Sequence, residues 1–194
     1  MPPTASRLRR AGLAAVALCL VSALPWASGA APPTPSQTLS LTAWQQIVAV
    51  LQHPRCLNCH QAANPLQGDA RRPHVPPVVR GSDDLGVGTL RCGTCHNDTG
   101  NDATSGAPGA PRWRLAPVSM AWQDRSSGDL CRQLKDPKRN GGRSLGALVE
   151  HMDSEPLVLW GWNPGADRAP VPMPHQDFVA QMKVWAVGGA VCPR

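Results

Sequence analysis

A mainly α-helical fold with extensive coil is what this sequence predicts, from three observations. Short stretches carry apolar residues at helical spacing, no segment alternates over strand length, and Pro and Gly together supply 39 of 194 residues (21 and 18). The chain has one Phe, no Tyr and seven Trp, too few rings for a large aromatic core. Something other than side chains must fill part of the interior, and the cysteines say what. Cys56-Leu57-Asn58-Cys59-His60 and Cys92-Gly93-Thr94-Cys95-His96 are two complete C-x-x-C-H units, the pattern of covalent c-type haem attachment. Two thiols one helical turn apart add to the two vinyl groups of one haem. The adjacent histidine then reaches the iron as axial ligand. Two haem c groups are therefore expected, held through Cys56, Cys59, Cys92 and Cys95, with His60 and His96 as proximal ligands. The competing reading is a four-thiolate zinc site. About 32 residues separate the pairs, longer than in an ordinary zinc ribbon, and zinc requires no histidine directly after each pair.

The first thirty residues read as a secretory signal peptide. Arg7, Arg9 and Arg10 precede an apolar run from Ala11 to Leu24, and Pro25 and Ser28-Gly29-Ala30 follow. The run is shorter than the roughly 20 apolar residues that span a bilayer, so cleavage near Ala30 and a periplasmic location are expected, without a stable membrane span. Residues 31–39 are read as a Pro-rich flexible leader and 40–194 as the haem-binding domain. In an oxidising compartment the two remaining mature cysteines, Cys131 and Cys192, are expected to pair and hold the C-terminal tail.

The formal charge of +6 falls to about +3 once the three leader arginines are removed, and four haem propionates would bring it near neutrality. No nucleic-acid partner is implied. Arg71, Arg72 and Arg80 are read as propionate partners.

The helices are expected in order. Thr42-Ala43-Trp44-Gln45 resembles a capping box, after which Trp44, Ile47, Val48 and Leu51 fall on one face and run into Pro54 ahead of the first motif. Residues 61–90 and 97–118 read as irregular loops. Gly128 to Lys135 reads as a helix stopped near Pro137. Ser144 caps a segment with Leu145, Leu148, Val149 and Met152 on one stripe. A last helix covers about Gln176 to Val187, with Phe178, Val179, Met182 and Trp185 on its apolar face and Gly188-Gly189 at its end.

Each iron needs a sixth ligand. The remaining mature histidines are His53, His74, His151 and His175, and the methionines are Met120, Met152, Met173 and Met182. His74 stands in Arg72-Pro73-His74-Val75-Pro76, rigid backbone with no helix stripe to explain it as core. His175 shares the interior face of the last helix. These two are the expected distal ligands, and Met120, in a Pro-containing loop after the second motif, is the alternative. His151 lies off its helix stripe, His53 reads as a surface residue, and Met152 and Met182 read as core. A thioether ligand would set a higher potential than a second imidazole.

From Cys56 to the C-terminus the chain resembles a family of small exported dihaem cytochromes described as subunits of isoquinoline 1-oxidoreductase. The resemblance rests on both C-x-x-C-H units, Pro73-His74, Val79-Arg80-Gly81, Leu115-Ala116-Pro117, Met120-Ala121-Trp122 and Cys131-Arg132-Gln133-Leu134-Lys135-Asp136-Pro137. It continues through Asn140-Gly141-Gly142-Arg143-Ser144, Leu159-Trp160-Gly161-Trp162 and Pro174-His175. It implies a cytochrome that accepts electrons from a molybdenum hydroxylase and passes them to another redox protein. The chain has nothing resembling a molybdopterin site, an iron–sulfur loop or a flavin fold, so heterocycle oxidation would belong to the partner, and no catalytic residues are assigned. A dihaem peroxidase with one open iron is the alternative, against which the short chain argues.

Overall fold

Helix α1 (Pro35–Leu51) begins at a full capping box. The Thr34 hydroxyl accepts from Gln37 N–H, the Gln37 side chain returns to Thr34 N–H, and Pro35 occupies the first helical position, where no N–H is needed. The expected start at Thr42 and the flexible leader over 35–39 are thereby corrected. Thr34-Pro35-Ser36-Gln37 carries the same signature eight residues earlier, while the Thr42 hydroxyl bonds back to the Thr38 carbonyl inside the helix. The computed structural model describes residues 32–99, 102–165 and 167–194 together with Met1, so the leader read over 1–30 lies, but for Met1, outside the described residues.

One face of α1 buries Ser40, Ala43, Trp44, Ile47, Val50 and Leu51 against α8 (His175–Val187), whose buried face is Phe178, Val179, Met182 and Trp185. Trp44 and Trp185 lie 5.3 Å apart at 40°, both with no solvent exposure. Fully burying a side chain of this kind stabilises by about 2–3 kcal/mol. A polar clasp sets the register of the pair: Ser40 Oγ donates to the Trp185 carbonyl (3.0 Å) and accepts from Val191 N–H (3.0 Å). Helices α5 (Ser127–Lys135), capped by Ser126, and α6 (Leu145–Ser154), capped by Ser144 as expected, close the core around Leu130, Leu134, Leu148 and Met152. Trp44 Nε1 donates to Ser127 Oγ at 2.9 Å, tying α1 to α5. The Cys131–Cys192 disulfide bridges α5 to the C-terminal tail.

The remaining elements are single turns. They are α2 (Pro54–Leu57), α3 (Cys92–Cys95), α4 (Asp102–Ser105), α7 (Pro156–Leu159) and a 3₁₀ turn at Val118–Met120. Two antiparallel ladders interrupt the coil: β1 (Leu66–Gln67) with β2 (Arg72–Pro73), and β3 (Gly86–Val87) with β4 (Leu90–Arg91). Two-residue ladders carry no alternation that a sequence could show. Arg80, read from the sequence as a propionate partner, is buried and engaged by protein groups. It pairs with Asp84 at 2.5 Å and donates to the carbonyls of Gln61, Ala63 and Ala116. It staples the segment after the first motif to the loop after the second. Among the described residues, no helix is long and apolar enough to cross a membrane.

Candidate cofactor sites

Each C-x-x-C-H unit forms one helical turn. His60 N–H reaches the Cys56 carbonyl (3.0 Å) and His96 N–H the Cys92 carbonyl (2.9 Å). This brings the i and i+3 thiols onto one side. His53 caps α2 by accepting weakly from Arg55 N–H at 3.3 Å, a structural role for the histidine read as a surface residue. Burial pushes the Cys56 thiol up to about 12 and the Cys59 thiol up to about 11, each raised further by a neighbouring cysteine. Both are held as thiols. Among the described residues, no group of three or more His, Cys, Asp or Glu side chains is arranged to hold a metal ion, so the cysteines stand as two pairs.

Two cavities open beside these turns. The first, of about 410 Å³, is lined by Cys56, Cys59, His60, Met120, Trp122 and His151, with Arg143 at its edge. The second, of about 720 Å³, is lined by Cys92, Cys95, His96, His74 and Trp113. Arg72, Arg91, Arg114 and Arg168 line it as well, with Asp69 as the acid among them. Both volumes suit a cofactor-sized guest. The cavities share a wall of Cys59, Trp113, Leu115 and Trp160, with Arg55 at its base. Trp113 and Trp160 meet edge to face at 4.8 Å, and the Arg55 guanidinium, paired with Asp69, lies 5.7 Å from the Trp160 ring centre.

The two motif histidines are built alike. His60 Nδ1 donates to the Met120 carbonyl at 2.9 Å, and its ring stacks on Trp122 at 3.4 Å and 10°. His96 Nδ1 donates to the Pro108 carbonyl at 2.6 Å, and its ring stacks on Trp113 at 4.4 Å and 3°. A carbonyl only accepts, so each ring carries its proton on Nδ1 and presents a bare Nε2 lone pair, the tautomer and orientation of a metal-ligating imidazole. Burial lowers the His60 pKa to about 4 against the opposing pull of the Met120 carbonyl, and burial likewise lowers that of His96. Both rings are neutral at physiological pH.

His74 repeats the arrangement, donating Nδ1 to the Pro76 carbonyl at 2.9 Å. Its ring centre stands 5.9 Å from that of His96 at 70°. Two imidazoles that share one metal at about 2 Å from a ring nitrogen of each have centres about 6 Å apart. His74, His96 and the thiols of Cys92 and Cys95 are thus brought together around one cavity. His175 is not brought to either. Its Nε2 donates to the Met152 carbonyl at 3.0 Å and its ring packs edge-on to Trp162 at 4.7 Å, in the helical core. Met120 borders the first cavity, and its carbonyl backs the His60 ring.

Sequence reasoning missed the two stacking tryptophans as such and the backbone acceptors at Met120 and Pro108. A backbone carbonyl leaves no trace in side-chain identity. The quoted segment Met120-Ala121-Trp122 nonetheless acquires a role: its carbonyl and its indole both orient His60, and Trp122 N–H bonds the His60 carbonyl at 2.9 Å. Comparison with protein-family models, with curated proteins and with solved structures gives no match.

Proposed function

We propose that this chain is a c-type haem protein of the electron-carrier class. More particularly, it is a periplasmic dihaem carrier, similar to the cytochromes described as isoquinoline 1-oxidoreductase subunits, relaying electrons from a partner such as a molybdenum hydroxylase to another redox protein. One observation carries the reading: each thiol pair is followed by a cavity-lining imidazole whose Nδ1 is spoken for by a carbonyl and whose Nε2 is bare.

A haem held there supplies a one-electron iron couple. The chain's own residues do the rest. Cys56 and Cys59, and Cys92 and Cys95, would hold the two groups covalently, with His60 and His96 as axial ligands. The stacked Trp122 and Trp113 keep those imidazoles from turning. Arginines at the second cavity offer fork-shaped donors to carboxylates. His74, whose ring centre stands 5.9 Å from that of His96, would be a second imidazole ligand at that cavity, which favours a carrier over a peroxidase.

The test is the mass and the absorption of the exported protein. Two covalent haem additions and reversible oxidation and reduction with sharp low-spin bands are expected. A mass equal to the bare polypeptide would overturn the reading, and rapid peroxide turnover would replace a carrier with a peroxidase.

A further inference from the structure

We infer that His151, not His175 or Met120, is the sixth ligand of the iron carried at the first motif, an assignment that rests on the haem reading above. Among the described residues, the first cavity has two imidazoles in its lining, His60 and His151. Every other ligand class present there is otherwise engaged. Met120 is tied through its own carbonyl to the back of His60, 2.9 Å from Nδ1. Three side-chain bonds are too few to carry its sulfur round that ring to the opposite face of a metal on Nε2. Met152 belongs to the packed apolar cluster between α6 and α8 and is 4% exposed. His175 has Nε2 committed to the Met152 carbonyl and does not line the cavity.

His151 lies off the apolar stripe of α6 because it serves the cavity rather than the core. A built loop attends it. Buried Asn140 donates to the carbonyls of Leu134 (2.7 Å) and Arg143 (2.9 Å) and accepts from Arg143 N–H (2.8 Å). Gly141 and Gly142, both at φ 78°, turn the chain so that Arg143 reaches the cavity edge. Arg143 Nη2 approaches His151 Nδ1 at 3.5 Å, the outer limit of a hydrogen bond. Ligation through Nε2 puts the ring proton on Nδ1. That would require the Arg143 guanidinium, now beside Nδ1, to turn away; Glu155, one turn further on, lines the same cavity and pairs with Arg112.

The experiment uses the full exported protein with covalent haem counted first. In His151→Ala, one of the two haems should turn high-spin in the absorption and electron paramagnetic resonance spectra. The variant should bind one carbon monoxide per molecule where the parent binds none, and added imidazole should restore the low-spin state. His151→Met should stay low-spin and gain the far-red methionine–Fe(III) band that the parent lacks. Two low-spin haems in His151→Ala, a parental spectrum in His151→Met, or the same conversion in His175→Gln or Met152→Leu would overturn the assignment while leaving the haem reading intact. A parent without covalent haem would overturn both.

Discussion

Arg80 shows how one side chain ties together the coil around the two C-x-x-C-H turns. Its guanidinium joins Asp84, the carbonyls of Gln61 and Ala63 in one segment and that of Ala116 in another, with only a tenth of the side chain exposed. Removing one partner of a buried ion pair strands the other, and Arg80→Met should lower unfolding stability by about 3 kcal/mol or more, read from denaturant titration. At the second cavity, His74→Ala should leave both haems covalently bound yet turn one high-spin, the 5.9 Å pairing with His96 having been lost. Replacing Cys92 and Cys95 together by Ser should subtract one haem from the protein's mass. The proposed attachment residues are named by spacing alone, because covalent haem chemistry demands the C-x-x-C-H pattern. Of the two histidines expected as distal ligands, His74, which no helix stripe explains, lines a cavity beside His96, whereas His175 packs edge-on to Trp162 and lines neither cavity.

Among the elements, α1 offers the clearest contrast between two similar sequences. Thr34 caps the helix and Thr42 lies inside it. Thr34→Ala should cost about 1 kcal/mol in a thermal melt, while Thr42→Ala should leave the melt within about 0.5 kcal/mol of the parent. At the far end of the helical pair, a Cβ on Gly188 would meet Ser40 Cβ at 2.7 Å and the Ser36 carbonyl at 3.0 Å. Gly188→Ala should therefore part α1 from α8 and destabilise by about 1–3 kcal/mol. The cap of α6 and the faces of α6 and α8 were readable because cap chemistry and 3.6-residue periodicity are local. The ladders β1–β2 and β3–β4 were not, since two residues per strand are held by the hairpins around them rather than by any alternation.

For the whole molecule, the helical core and the coil-rich side differ in what holds them. The core has paired tryptophans, capped helices and the Cys131–Cys192 bridge across a separation of 61 residues. Loss of that bridge by double Ser replacement should lower stability by about 4 kcal/mol on a chain-entropy account. The other side has single turns, long coil and two cavities, which is why composition already signalled missing interior volume but could not say where it lay. The wall of Cys59, Trp113, Leu115 and Trp160 draws residues from three widely separated stretches of the chain and serves both cavities at once. Such a molecule is not two modules in tandem. Cutting the chain between the motifs would take a face from each site, and a lineage that discarded one site could not keep the other unaltered.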